Sequence, residues 1–238
     1  MINKVYCMDN MEFMANQKDC IMVDGKQFCF RDVLAIPDPP YGNGEEISKN
    51  DTRGKAAYSK KYKKYESKRP DSLYFKELFR ISNNQIIWGG NYFVNDLYDS
   101  SAWIVWDKLN EATDFADCEL AWTSFFCATR KFSFRWNGML QGNMKSKEVR
   151  IHRHQKPIAL YKWLLKNYAQ PGQFILDTHV GSGSSRIACY DMGFDFVGCE
   201  LDPDFWQAQE KRFQDHIASQ ELFRTEEIQN LIYSEGLL

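Results

Sequence analysis

Apolar residues in this chain fall into short blocks separated by polar turns, and the blocks alternate between strand-like and helix-like spacing. Lys4-Val5-Tyr6-Cys7 reads as a strand ending near Asp9, and a short helix is predicted from Asn10 to Asn16. Val33-Leu34-Ala35-Ile36 is a continuous apolar run of strand length that stops at Asp38. Residues 42–70 have no apolar period and read as a long loop, a length that compact domains reserve for function or disorder. Ser72 to Arg80 then predicts a helix with Leu73, Phe75, Leu78 and Phe79 on its apolar face. Gln85–Trp88, Trp103–Trp106 and Glu119–Phe126 read as strands, and residues 130–150 as polar and irregular. Pro157 opens an amphipathic helix that Pro171-Gly172 stops. A strand at Phe174–Leu176, a helix at Ser184–Met192, a strand at Phe196–Cys199 and a helix from Pro203 to about Ser219 complete the chain. Such alternation predicts an α/β fold with a mostly parallel sheet and helices on both faces, as a single domain over residues 1–238.

Charge sharpens this picture. The net charge is only −2, but it is unevenly spread. Residues 49–69 carry nine Lys or Arg against two acids, and residues 130–156 eight against one. From Asp191 onward the balance reverses, with eleven acids against three bases. Two basic stretches in a near-neutral chain suit a protein that grips a polyanion with part of its surface, although solvated loops have the same composition. The seven cysteines contain no Cys-x-x-Cys pair, and no apolar run approaches the length of a membrane span. A cytoplasmic protein with no membrane partner is expected. His152 and His154 lack an accompanying Cys or acid cluster, so no metal is expected.

Two segments carry candidate chemistry. Asp177-Thr178-His179-Val180-Gly181-Ser182-Gly183-Ser184 follows a strand and opens a helix. Glycines there let a ligand approach the backbone, and the helix N-terminus presents N–H groups to an anion. The next strand ends at Glu200, seventeen residues after Gly183, where an acid can accept both hydroxyls of an adenosine ribose. A dinucleotide site would want a glycine near Arg186, and a phosphate-binding loop would want Gly-Lys-Ser/Thr; neither is present. Adenosine binding is the better reading.

The second segment is Asp38-Pro39-Pro40-Tyr41 at the carboxyl end of a strand. Its prolines fix their own φ and hold the preceding residues extended, so the tetrapeptide is stiff. A carboxylate (Asp38) and a backbone carbonyl (Pro39) could accept both hydrogens of an exocyclic base amine. Its lone pair, otherwise delocalised into the ring, would then be aimed at an electrophilic methyl group. Tyr41 would offer a face for a base swung out of the duplex.

Together these residues resemble the amino-group DNA methyltransferases, in which Asp-Pro-Pro-Tyr is the catalytic motif and Asp-x-Phe-x-Gly-x-Gly the cofactor motif. The order here, catalytic first, resembles the circularly permuted β class. His152-Arg153-His154-Gln155-Lys156-Pro157 is similar to the His-Pro-Thr-Gln-Lys-Pro segment of that class, and Asp9 matches an acid expected near the cofactor's adenine. The stretch from Trp88 to Thr123 is similar to phage and mobile-element adenine methyltransferases. The resemblance implies a Rossmann-like methyltransferase fold that uses S-adenosyl-L-methionine on double-stranded DNA, in a bacterial or phage setting. It implies catalytic residues Asp38, Pro39, Pro40 and Tyr41. The implied cofactor residues are Asp9, Lys156, Pro157, Asp177, His179, Gly181, Ser182, Gly183, Ser184 and Glu200. Adenine N6 is expected because cytosine-N4 enzymes of this group more often carry Ser in place of Asp38.

The chain departs from the pattern at His179, where Phe is usual, at Ser184 for Thr, at Arg153-His154 for Pro-Thr, and at Pro37 before the tetrapeptide. A short target-recognition segment is expected at about 127–150, helped by a mobile DNA-contacting loop at about 42–70. A homodimer is open, and no restriction partner is indicated. The competing readings are an N4-cytosine enzyme, a catalytically silent nucleic-acid-binding relative, and a methyltransferase acting on RNA or protein.

Overall fold

The computed structural model describes residues 1–42, 68–110, 116–137 and 140–234, excluding the side chains of 137 and 223–234. Its elements in chain order are β1 (Asn3–Cys7), α1 (Asn10–Ala15), β2 (Cys20–Val23), β3 (Lys26–Cys29), β4 (Val33–Ala35), α2 (Ser72–Arg80), β5 (Asn84–Trp88), β6 (Ile104–Asp107), β7 (Cys118–Thr123) and β8 (Arg130–Ser133). There follow β9 (Trp136–Asn137), β10 (Leu140–Gln141), α3 (Ile158–Tyr168), β11 (Phe174–Asp177), α4 (Ser184–Met192), β12 (Phe196–Glu200) and α5 (Pro203–Ser234). Most of the expected loop at 42–70 lies outside the described residues. No described helix is long and apolar enough to cross a membrane.

The main sheet has the order β1-β12-β11-β4-β5-β7-β6-β8. The pairs from β1 through β5 are parallel, β7 is antiparallel to both neighbours, and β8 runs parallel to β6 at the edge. Strand residues alternate between two cores, as the period-two pleat requires. Leu34, Ile36, Ile86, Trp88 and Ile175 pack with Leu160, Tyr161, Leu164 of α3 and Ala188, Cys189 of α4. Val33, Ala35, Ile87, Phe174 and Leu176 pack on the other face with Phe13, Met14 of α1 and Tyr74, Phe75, Leu78 of α2. The α/β sheet with helices on both faces is therefore as the apolar pattern predicts.

Side chains set the element starts. Asp9 accepts hydrogen bonds from the Met11 and Glu12 amides at 2.8 and 3.2 Å, capping α1. Asp71 does the same for Leu73 and Tyr74 at the start of α2. Such caps each stabilise a helix by about 1 kcal/mol.

Three parts differ from the sequence expectation. Residues 130–150 are not irregular throughout, since they hold β8, β9 and β10. β8 is an edge strand in which only Phe132 is half-buried, so its sequence shows no apolar alternation. The hairpin of β2 and β3 is additional; its turn is Asp24-Gly25, with φ of +48° and +78°, the pair of left-handed residues that a tight hairpin turn needs. Finally, α5 continues to Ser234 instead of ending near Ser219.

Arg186, where a dinucleotide-binding motif would place glycine, joins the two ends of the chain. Its Nε donates to Asn3 Oδ1 at 2.6 Å in β1, and its Nη1 reaches Gln209 Oε1 at 3.0 Å and the Glu210 carboxylate in α5. The Phe213 ring lies 3.9 Å from the guanidinium carbon. Arg186→Met should cost about 2–4 kcal/mol, because breaking a largely buried pair strands its partners. Urea unfolding would measure it, and an unchanged midpoint would show that these contacts do not stabilise the fold.

Candidate active site

β4 and β11 pair in parallel, with Leu34 opposite Ile175 and Ala35 opposite Leu176. The Ile36 amide extends the ladder, donating to the Leu176 carbonyl at 2.9 Å. Their carboxyl ends therefore point the same way, and the loops that follow meet at one edge of the sheet, where open α/β sheets bind ligands. A cavity of about 890 Å³ lies there. Its walls include Asp38–Tyr41 after β4, Thr178–Ser182 after β11, Glu200–Pro203 after β12 and Met8–Met11 after β1.

On one side of the cavity the β11 loop is held by its own backbone and neighbours. Asp177 is buried and accepts from the His179 amide at 2.9 Å and from Ser185 Oγ at 2.5 Å. Burial pushes its carboxyl up to about 7 against these two bonds. Glu200 accepts the Gly181 amide on Oε2 and the Asp202 amide on Oε1, both at 2.9 Å. Burial raises Glu200 above the usual carboxylate range, and the amide bonds oppose that shift. Gly181 has φ of +52°, and a Cβ built there would meet no protein atom nearer than the His179 carbonyl at 4.0 Å. Since Gly181 lines the cavity, that space belongs to whatever fills it.

His179 sits between α1 and α2. Asn10 Nδ2 lies 3.0 Å from its Nε2, and Thr178 Oγ1 lies 3.0 Å from its Nδ1. The Tyr74 ring stands edge-on at 5.3 Å, with the phenol oxygen 2.7 Å from Thr178 Oγ1. Burial holds the imidazole pKa down to about 4, so at neutral pH it is an uncharged polar ring. With Asn10 donating to Nε2, the hydrogen is on Nδ1.

The other side of the cavity carries a chain of half-buried charges around one buried lysine. Lys156 Nζ, 4% exposed, lies 2.5 Å from Asp38 Oδ2 and 3.0 Å from Glu119 Oε2. Lys108 pairs with the second oxygen of Glu119. Tyr41 donates its hydroxyl to Asp38 Oδ1 at 2.8 Å. Burial lowers the Lys156 pKa, but Asp38 and Glu119 more than reverse this, leaving the ammonium above its ordinary value. Burial likewise pushes Glu119 up, and Lys156 and Lys108 overcome it to hold the carboxyl at about 2. Buried beside two acids, the Tyr41 phenol stays protonated. Gly89, at φ +68°, makes room for Tyr41, because a Cβ there would fall 2.1 Å from the ring. Tyr92 stacks on Tyr41 at 4.9 Å.

Of the residues singled out in the sequence, Asp9, Asp38, Pro39, Pro40, Tyr41, Lys156, His179, Gly181, Ser182, Ser184 and Glu200 line this cavity. Asp177, Pro157 and Gly183 do not: Asp177 faces Ser185, while Pro157 and Gly183 stand at the entries of α3 and α4. Lys156, expected near the cofactor, is bonded to Asp38. The sequence does not single out Glu119, Tyr74 or Asn10 as site residues. Glu119 left a signal, as an acid inside the strand Cys118-Glu119-Leu120-Ala121-Trp122-Thr123. Tyr74 and Asn10 left none, since each looks like an ordinary helix residue.

A family model described as DNA methylase matches residues 41–211. Among solved structures, the chain is similar to the complex of M1.HpyAVI with SAM, at 19% identity and a TM-score of 0.54, covering 89% of this chain and 100% of that one. TTHA0409 of Thermus thermophilus, complexed with S-adenosyl-L-methionine, shares 15% identity with a TM-score of 0.54, over 90% of this chain and 94% of that one. The cytosine-N4-specific PvuII DNA methyltransferase also has a TM-score of 0.54, at 12% identity, over 89% of this chain and 86% of that one. No curated protein matches. At such identities the structures show a shared fold, and the family rests on the match over residues 41–211: the chain belongs to the DNA methylases that act on exocyclic amino groups, adenine N6 or cytosine N4.

Proposed function

We propose that this protein transfers a methyl group from S-adenosyl-L-methionine to the N6 amino group of adenine in double-stranded DNA, as a permuted, β-class enzyme. The observation that carries this reading is that Asp38 and the Gly181–Glu200 pair line the same cavity. At about 890 Å³ it lies toward the upper end of ordinary ligand sites, consistent with a nucleoside-bearing cofactor and a flipped base together. When bound, S-adenosyl-L-methionine supplies a methyl group on a positively charged sulfur.

This chain's residues fit that cofactor. The space over Gly181 lets an adenosine approach the backbone. The Glu200 oxygens, each fixed by one amide, keep a lone pair for a ribose hydroxyl. Neutral His179 offers a flat ring where related enzymes carry Phe, and its bonds to Asn10 and Thr178 keep it in place. Asp9 has one oxygen engaged as a helix cap and the other available at the cavity wall.

Asp38 and the Pro39 carbonyl act on the target amine. Accepting its two hydrogens concentrates the lone pair on nitrogen, and the stiff tetrapeptide does this without reorganising. The nitrogen must shed a proton once it has gained its methyl, and an Asp38 oxygen is a base in position to hold it. The Tyr41 ring, braced by Gly89 and Tyr92, is a stacking surface for the base. Lys68 and Arg69, which line the cavity, are suited to the phosphates beside a flipped nucleotide. We propose that the segment 127–150 reads sequence. The N6 preference follows from Asp at position 38. The likeness to a cytosine-N4-specific enzyme makes N4 the second reading.

The two sides should separate by mutation. Asp38→Ala should abolish methyl transfer while leaving cofactor affinity within about threefold, less than about 1 kcal/mol. Glu200→Ala should weaken the cofactor by about 1.5–3 kcal/mol, the range for hydrogen bonds to a charged group. Near-normal turnover by Asp38→Ala would overturn the assignment. Mass spectrometry of nucleosides from methylated DNA decides the base, with N6-methyl-2′-deoxyadenosine expected; N4-methyl-2′-deoxycytidine as the sole product would replace the first reading by the second.

A further inference from the structure

Each Asp38 oxygen already holds one donor in this arrangement, so an amine hydrogen must take a second lone pair beside it. Oδ1 takes the Tyr41 hydroxyl, and Oδ2 takes the Lys156 ammonium at 2.5 Å. The ammonium is also misplaced for the chemistry, because a positive charge on Asp38 opposes the positive charge that develops on the amine nitrogen. Moving it away is costly unless another anion receives it, since an unpaired ammonium in a buried site has lost its water and gained nothing in return.

Glu119 is placed to be that anion. Its Oε2 is buried and, among the described residues, receives no aligned hydrogen bond, although Lys156 Nζ stands 3.0 Å away. Its other oxygen is already held by Lys108. The carboxylate is thus anchored at one end, with its other end already within ion-pair distance of the Lys156 ammonium. A modest turn of the lysine head would complete that bond and release Asp38 Oδ2. The lysine needs no large movement, because its Nζ already stands 2.5 Å from Asp38 Oδ2 and 3.0 Å from Glu119 Oε2.

We propose that Glu119 is a positioning residue that takes the Lys156 ammonium from Asp38 when the target amine arrives, freeing one Asp38 oxygen without stranding a buried charge. This rests on the reading that Asp38 receives the amine. Lys156 then keeps the Asp38 carboxylate ordered while the site is empty. The transfer to Glu119 is triggered by the hydrogen bond that the amine offers in its place.

The test is single-turnover methylation of a DNA duplex, with S-adenosyl-L-methionine affinity measured alongside. Glu119→Gln should lower the methylation rate at saturating DNA and cofactor about a hundredfold, with cofactor affinity within about twofold. Glu119→Asp, which keeps the charge, should recover at least about tenfold of that loss. The decisive variant is Glu119→Gln combined with Lys156→Met. If the lysine blocks Asp38 once Glu119 can no longer receive it, removing it should make the double variant faster than Glu119→Gln alone. A double variant equal to or slower than Glu119→Gln would overturn the hand-off. So would Glu119→Gln at the wild-type rate, or Glu119→Gln that no longer binds the cofactor, which would make Glu119 a structural residue. Asp38→Asn separates the two levels: if it is inactive while Glu119→Gln is unaffected, only the hand-off fails. If Asp38→Asn is itself active, the underlying role of Asp38 fails with it.

Discussion

The pairing of β4 with β11 joins residues far apart in the chain, Val33 to Phe174 and Ala35 to Leu176. All of those residues are fully buried, and the Ile36–Leu176 hydrogen bond carries the ladder to the last turn before Pro37. Everything at the site depends on this seam. It sets the Asp38 loop and the Gly181 loop side by side at the same sheet edge, and the neighbouring pairs of β12 with β11 and β1 bring Glu200 and Asp9 to that edge. A slip of β4 by one residue against β11 would turn Leu34 from one core to the other and send its loop's side chains to the opposite face. Long-range parallel pairing forms late and at entropic cost, and burial of the continuous apolar runs at 33–36 and 174–176 offsets that cost.

The seam fixes where the loops are, and two different kinds of environment then decide what they can do. Around Gly181 the groups are neutral or hydrogen-bonded to amides: His179 is uncharged and Glu200 is held by backbone. Around Asp38 the charges alternate, Asp38, Lys156, Glu119, Lys108, in a largely buried line. Buried pairs of this kind contribute little net stability and much positional definition. A cradle of an uncharged imidazole and an amide-held carboxylate suits a ligand with its own positive charge, and an alternating line can rearrange without a change in total charge.

Much of this was legible in the sequence because the signals were local. The apolar runs of β4, β5, β11 and β12, the stiff Asp38–Tyr41 segment and the glycines after β11 each state their geometry within a few residues. What was missed depends on partners far along the chain. Lys156 reads as the end of a segment leading into a helix, and only the fold shows that its ammonium meets Asp38, 118 residues earlier. Tyr74 is one residue among several in α2 until Thr178 is found 2.7 Å from its hydroxyl. β8 was invisible because an edge strand with one half-buried Phe has no alternation to detect. The β2–β3 hairpin was different: its Asp24-Gly25 turn is a local signal that the flanking apolar residues were too few to support.

If donor and target amine share one cavity, held from opposite sides by Glu200 and Asp38, a single compound that joins the two should engage both residues. Calorimetric titration with a bisubstrate compound, adenosine linked through its 5′ end to the N6 of a second adenosine, tests this most directly. The expected result is that Glu200→Ala and Asp38→Ala each weaken the compound by about tenfold or more, roughly 1.4 kcal/mol or above. Affinity for the compound unchanged by Asp38→Ala, while Glu200→Ala reduces it, would contradict a shared cavity, because the amine end would then be bound somewhere else.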